Sequence, residues 1–188
     1  ATTNSSNLYS NMRSFANHGI IKDKNKFLGN SFESWRYEQQ KLGFNFRLSD
    51  VHAALGISQL KRLDYFVEER NKIANLYMDM MSKFPIRFLY PYSFVKSSYH
   101  LFIIQLINTN KEVHENLFNY FKNNQIGVQL HYLPVHLQPY YKEMGFCEGL
   151  FPCAEKYAIS SISLPIFPSL KIKEIRKVVS SLDNFFIN

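Results

Sequence analysis

Apolar residues at helical spacing divide the chain into a helical first part and an alternating second part. Leu8, Met12 and Phe15 share one face of a helix over residues 4–17, with Asn4, Ser5 and Ser6 as caps and Gly19 as its stop. Residues 22–42 keep no period, and Gly29, Asn30 and Ser31 read as turn formers. Trp35 within them predicts a loop anchored on a core or a subunit interface. From Ser49 to Phe84 the pattern is helical almost throughout. Ser49 and Asp50 open it, and Val51, Ala54, Leu55, Ile57, Ser58 and Leu60 keep near-helical spacing. Gly56 and Asp64 predict a break into two helices. In the second, Tyr65, Phe66, Ile73, Leu76, Tyr77, Met80 and Met81 form an apolar stripe, with Glu68 and Lys72 paired outside it. Pro85 ends that helix.

Residues 85–97, with Pro85, Pro91 and Ser93, have no helical period and predict a boundary between two domains, 1–84 and 85–188. Beyond it the pattern alternates. Tyr99–Ile107 reads as a buried strand, and Lys111–Asn124 as an amphipathic helix with Val113, Leu117, Phe118 and Phe121 inward. Val128–Tyr132 reads as a strand, followed by a turn-rich loop from Pro134 to Pro139. Two short helices, Pro139–Met144 and Pro152–Ile159, precede a strand at Ser161–Ile166. A closing helix over Lys171–Phe186 carries Ile172, Ile175, Val178, Val179, Leu182 and Phe186 on one side. The pattern predicts an α/β fold, a short sheet backed by helices.

With 46% hydrophobic residues in 188, a packed core is within reach. The net charge of +7 brings nucleic acid into consideration. The basic residues are nevertheless spread thinly, and no nucleic-acid-binding motif accompanies them. The dense groups, Lys22–Lys26 and Lys171–Lys177, read as an exposed loop and the solvated face of a helix. A basic surface serves a phosphate ester equally well. No apolar run approaches the ~20 residues that span a membrane. Cys147 and Cys153 lack a CxxC spacing and read as ordinary thiols in a reduced compartment. With no charged and apolar leader at Ala1, a cytoplasmic protein is expected.

The candidate chemistry is concentrated in two stretches. Six histidines form no compact metal pattern, and His131 and His136, which flank Pro134, lack the two further ligands a zinc site needs. No metal is expected. The string HYLPVHLQPYY, His131 to Tyr141, gathers imidazole and phenol groups between stiffening prolines. It reads equally as a ligand-binding loop or a rigid interface loop. Nothing matches the glycine-rich phosphate loops. Asp50 and His52, two apart on a helix, point away from each other and make no acid–base pair. The string GFNFRLSDVHAALGISQLKRLD, Gly43 to Asp64, presents Asn45 and Arg47 on a loop that leads straight into a helix N-terminus, an arrangement suited to an anion.

That string resembles the signature of the DegT/StrS family of sugar-nucleotide aminotransferases, pyridoxal-phosphate enzymes of fold type I. RSFANHGI (Arg13 to Ile20), QIGVQLHYLPVHLQPYYKEMGF (Gln125 to Phe146) and SISLPIFPSLKIKEI (Ser161 to Ile175) agree in order and spacing, so the resemblance runs from end to end. It implies that residues 1–84 are the end of the large cofactor domain and 85–188 the small domain. It implies pyridoxal phosphate as cofactor, an amino-acid donor such as glutamate, a nucleotide-linked keto-deoxy sugar as acceptor, and a homodimer. The product would serve a bacterial surface or flagellar glycan. Within the family the His131–Tyr141 loop is similar to that of 4-aminotransferases supplying the precursor of pseudaminic acid. Asn45 matches the asparagine that reaches the cofactor phosphate of the neighbouring subunit, and Arg47 the arginine beside it, near cofactor or nucleotide phosphate. His131, Tyr132 and His136 match the loop lining the sugar-nucleotide pocket. Gln129 and Leu130 stand where the family often has a basic residue. The Schiff-base lysine is expected upstream of Ala1, so no catalytic residue is assigned within these 188 and the chain alone is expected to be inactive. A non-catalytic binding or interaction domain that kept the small-domain fold is the alternative, and the sequence before Ala1 separates the two.

Overall fold

The computed structural model describes residues 1–29 and 33–187. Asn30 and Ser31, two of the expected turn formers, lie outside the described residues. The chain divides into two compact units, residues 1–60 and 61–188.

The first unit opens with α1 (Ser6–Phe15), capped where the Leu8 N–H donates to Ser5 Oγ at 3.3 Å. His18 and Gly19 end its run with left-handed backbone, φ 58° and 71°. Strand β1 (Ile20–Ile21) then pairs antiparallel with β2 (Glu38–Gln39). The stretch 22–42, patternless as sequence, is organised around one carboxylate. Glu38 accepts hydrogen bonds from the N–H of Leu28 at 2.7 Å and of Gly29 at 3.1 Å, from Arg36 at 3.2 Å and from Gln40 at 3.0 Å. These donors, the Leu28 N–H first, hold its pKa down to about 2. Trp35 is not anchored on a core among the described residues; its side chain is exposed.

Helix α2 (Asp50–Leu60) starts as expected, with the His52 N–H on Ser49 Oγ at 3.4 Å. It runs through Gly56 without a break, because a lone glycine weakens a helix without ending it. The interruption falls at Lys61 and Arg62 instead, and Asp64 lies in the first turn of the next helix. None of the side chains of α2 is buried.

In the second unit, α3 (Leu63–Met81) packs on a three-stranded antiparallel sheet. The sheet runs β3 (Ile86–Phe88), β4 (Phe102–Leu106), β5 (Ser161–Leu164), in that spatial order. Ile86 stands opposite Leu106, and Ile104 opposite Ile162. Helices α4 (Lys111–Asn123) and α7 (Ile172–Ile187) complete the layer, with α5 (Pro139–Glu143) and α6 (Pro152–Ala158) between them in sequence. Tyr77, Met81, Ile104, Leu117, Phe121, Ile162, Ile175 and Leu182 form the fully buried centre. Of the stripe expected on α3, Ile73, Tyr77 and Met81, four residues apart, face this core with Ala74. Tyr65 and Leu76 are exposed. The Tyr77 hydroxyl donates to the Pro165 carbonyl at 3.1 Å, and burial raises its pKa well above the usual phenol value.

Three strand expectations change. β3 forms inside the stretch 85–97 expected to be irregular. The strand expected at Tyr99–Ile107 narrows to β4, since Tyr99 takes left-handed backbone, φ 39°. Val128–Tyr132 forms no strand; a single bridge between Gln129 and Ser163 remains. On α4, Val113 is partly exposed, whereas His114 is buried and donates from Nε2 to the Ser161 carbonyl at 3.0 Å. Among the described residues no helix is long and apolar enough to cross a membrane. No group of three or more metal-binding side chains gathers among them, and Cys147 and Cys153 are free and exposed.

Candidate functional site

In the first unit the Gly43–Arg47 stretch lies across the C-terminal end of α1. Phe44 donates its N–H to the Phe15 carbonyl at 2.7 Å, His18 donates to the Phe44 carbonyl at 2.9 Å, and Phe46 donates to the Ala16 carbonyl at 3.0 Å. Carbonyls left open at the end of a helix are thereby satisfied. The crossing is tight. A Cβ on Gly43 would stand 2.5 Å from the Gly19 nitrogen and 2.7 Å from the Phe15 oxygen. A Cβ on Gly19 would stand 1.8 Å from the Lys41 oxygen. Phe15, Phe44 and Phe46 pack on one another above it, Phe44 and Phe46 stacked at 5.0 Å.

Asn45 sits in the middle of this crossing, bridged through its backbone to Asn17. Its side chain is exposed and holds no hydrogen bond among the described residues. The backbone is therefore fixed while the amide stays open. Arg47 behaves otherwise. Its Nη1 donates to the Ala16 carbonyl at 2.8 Å and the Phe46 carbonyl at 3.3 Å, and its Nη2 to Asn17 Oδ1. A guanidinium on the last carbonyls of a helix is favoured by the negative end of the helix dipole. Arg47 thus ties its loop to α1 with most of its donors, where the sequence pattern suggested an open anion contact.

In the second unit the His131–Tyr141 loop separates its histidines. His131 is partly buried, with Nδ1 at 2.6 Å from Ser163 Oγ on β5, and its ring stands 4.7 Å from that of Tyr132. Tyr132 is 72% exposed. Tyr132 thus faces outward, with the partly buried His131 ring beside it. His136 turns inward. It is buried, its Nε2 donates to Glu155 Oε1 at 2.7 Å, and its ring meets Phe151 at 4.8 Å. Glu155 on α6 also accepts the N–H of Gly149 at 2.9 Å and of Phe151 at 3.3 Å. The Gly149 N–H, then His136, hold its carboxyl below the usual range. His136 is therefore a tie between the loop and α6, and it reaches outside solvent hardly at all.

The pattern along the chain did not single out Ser163 or Glu155. Ser163 had a faint signal, a polar residue alternating with apolar ones in SISL, all four buried. Glu155 had another, an acid close behind a proline-started helix, placed to reach back to the first N–H groups.

Comparison with known proteins covers nearly the whole chain. The profile of the DegT/DnrJ/EryC1/StrS aminotransferase family matches residues 1–183. The spore coat polysaccharide biosynthesis protein SpsC of Bacillus subtilis is 31% identical over 186 residues, 96% of this chain and 47% of that protein. The UDP-4-amino-4,6-dideoxy-N-acetyl-beta-L-altrosamine transaminase of Campylobacter jejuni is 34% identical over 166 residues, 88% of this chain and 42% of that protein. Among solved structures, Helicobacter pylori PseC, an aminotransferase involved in the biosynthesis of pseudoaminic acid, matches with a TM-score of 0.85 at 26% identity, over 98% of this chain and 47% of that one. The chain spans about half the length of the curated relatives it matches.

Proposed function

Since the chain belongs to the DegT/DnrJ/EryC1/StrS aminotransferase family, we propose that it forms part of a pyridoxal-phosphate-dependent sugar-nucleotide aminotransferase. The enzyme moves an amino group from an amino acid, glutamate by preference, to a nucleotide-linked keto-deoxy sugar for a bacterial surface or flagellar glycan. The names of the similar transaminases favour UDP as the carrier. In this reading residues 1–84 end the large domain, residues 85–188 are the small domain, and the working form is a cytoplasmic homodimer.

The residues present fit the cofactor at one point. Asn45 offers an open amide on a pinned backbone, and an uncharged N–H donor suits a phosphate oxygen. That open amide, within a family match of nearly the whole chain, is the observation that carries the reading. Asn45 would hold the cofactor phosphate, in the neighbouring subunit by the family pattern. Bound pyridoxal phosphate supplies the electron sink for exchange of amine and ketone. The chain's own residues bind and orient. Arg47 holds the Asn45 loop on α1. His131, steadied by Ser163, keeps Nε2 for a sugar or phosphate oxygen, and Tyr132 adds a phenol and a flat ring beside it. His136 positions that loop through Glu155. No proton transfer is assigned to these residues.

The test uses the intact protein that contains this chain, given pyridoxal phosphate, glutamate and a UDP-linked 4-keto sugar. The expected result is an amino sugar by mass spectrometry with matching 2-oxoglutarate. Asn45→Ala should fold normally and lose cofactor on gel filtration about tenfold faster, the effect of removing one hydrogen bond to a charged group. Folded protein that takes up the cofactor and converts no keto sugar would leave the binding-domain alternative standing.

A further inference from the structure

We propose that the second unit binds a phosphate group in a small cavity at one end of its sheet, between Arg87 on β3 and Lys156 on α6. The cavity measures about 190 Å³, and every residue that lines it belongs to this unit. At ~30 Å³ for each water in the liquid, that is room for a phosphate and a few waters. Its lining holds two cations, Arg87 and Lys156, and no carboxylate. Both side chains are exposed, and neither has an ion pair or a side-chain hydrogen bond among the described residues. Positive charges that share one hollow without a counter-charge repel each other, and an anion between them removes that repulsion.

The backbone beneath both cations is fixed. Arg87 stands opposite Gln105 in the β3–β4 pairing, so the two side chains leave the sheet on one face, away from the buried Ile104 and Leu106. Gln105, also in the lining, donates one proton of Nε2 to Ser160 Oγ at 3.1 Å and keeps the other. Ser160 is buried. Its hydroxyl donates to the Lys156 carbonyl at 2.8 Å, and its carbonyl accepts the Leu106 N–H at 2.8 Å. These bonds join the last turn of α6, which carries Lys156, to the end of β4. The anchor points of the two cations are therefore set before a ligand arrives, which lowers the cost of binding it. The guanidinium offers paired N–H groups to two oxygens of one phosphate, the ammonium a point charge to a third, and the Gln105 amide a neutral donor. A phosphate carries nearly two negative charges at neutral pH and so matches two cations better than one carboxylate does. The site follows from these residues alone and does not depend on the aminotransferase reading.

Calorimetric titration at low salt tests this on the intact protein, first saturated with pyridoxal phosphate and dialysed. The probes are inorganic phosphate and, separately, glycerol 3-phosphate. Binding is expected, and added KCl should weaken it. Arg87→Gln and Lys156→Gln should each weaken it about tenfold, the weight of one charge-assisted hydrogen bond. Both side chains are exposed, so thermal melts of these variants should match the parent. Lys171→Gln, in the same unit and outside the cavity, should bind as the parent does. Tighter binding of glycerol 3-phosphate assigns the site to a phosphate ester; equal or weaker binding assigns it to the free anion. A parent that binds neither probe, an Arg87→Gln or Lys156→Gln protein that binds like the parent, or a Lys171→Gln protein weakened to the same degree would each overturn the proposal. Uptake of pyridoxal phosphate is read first. A protein that fails to take it up defeats the aminotransferase reading, and the phosphate titrations with their variants still decide this one.

Discussion

Glu38 shows what one carboxylate can do in a segment without pattern. Four donors converge on it from Leu28, Gly29, Arg36 and Gln40. Its folded pKa of about 2 lies below the ordinary glutamate value of 4.5, so the charged form is the one that folding favours. The stabilisation it supplies is complete above about pH 4.5 and disappears as the pH falls toward 2. A Glu38→Gln protein should therefore melt lower than the parent at pH 7 and show a smaller loss between pH 5 and pH 3. Thermal melts at those three pH values check it; parallel curves would show that the carboxylate carries no such linkage. None of this was legible along the chain, because Glu38 lies ten residues from Leu28 and the contact follows from the return of β2 beside β1. The same holds for His136. Its type and position suggested a ligand contact, and its partner Glu155, nineteen residues on, shows it to be internal.

Helices with one continuous apolar face were readable, and so were β4 and β5 inside their expected ranges; β3 was not. α4 and α7 sit within a residue or two of where their periodicity puts them. β3 has three residues, too few to show a period, and exists because Ile86, Arg87 and Phe88 find β4. Val128–Tyr132 had strand composition and lacked a full partner. Periodicity also says which face is apolar without saying what covers it. On α3 the core side of the stripe is buried by the sheet, whereas the apolar residues of α2 stay exposed among the described residues: Val51 is 78% exposed and Leu55 57%. Mutations at the two kinds of position should separate sharply. Ile104→Ala, in the centre of β4, should cost about 2–5 kcal/mol, and Leu55→Gln should change stability by less than about 0.5 kcal/mol. Urea unfolding of both variants measures it; similar losses would mean that α2 is buried in solution.

For the whole molecule the legible part was the family, carried by four ordered strings within a family match over residues 1–183. The fold class, a short sheet backed by helices, followed from the alternation of the second part, whereas its antiparallel pairing did not. The chain divides into its compact units between Leu60 and Lys61, and α3 packs with the sheet, although the run of helical pattern joins it to α2. No local signal marks that division, since a helix is assigned to a unit by what its buried face touches. The proposed homodimer makes a further prediction. If Asn45 serves the neighbouring subunit, cofactor retention depends on association. Diluting the intact protein through its dimer–monomer transition, followed by light scattering and by the visible absorbance of bound pyridoxal phosphate, should release cofactor in step with the dimer fraction. Full retention by monomers would place Asn45 outside the cofactor site.

The crossing of Gly43 over the end of α1 has one more consequence. Hydrogen bonds stretch and reorient, and a loop held by them alone can ride higher or lower on its support. Two backbones with no side chain between them are already at closest approach. The height of the loop is therefore gauged by atomic radii, like a shaft seated on a shoulder, and Asn45, two residues further on, inherits that height. The reach of its amide is set by the absence of a methyl group at a neighbouring position.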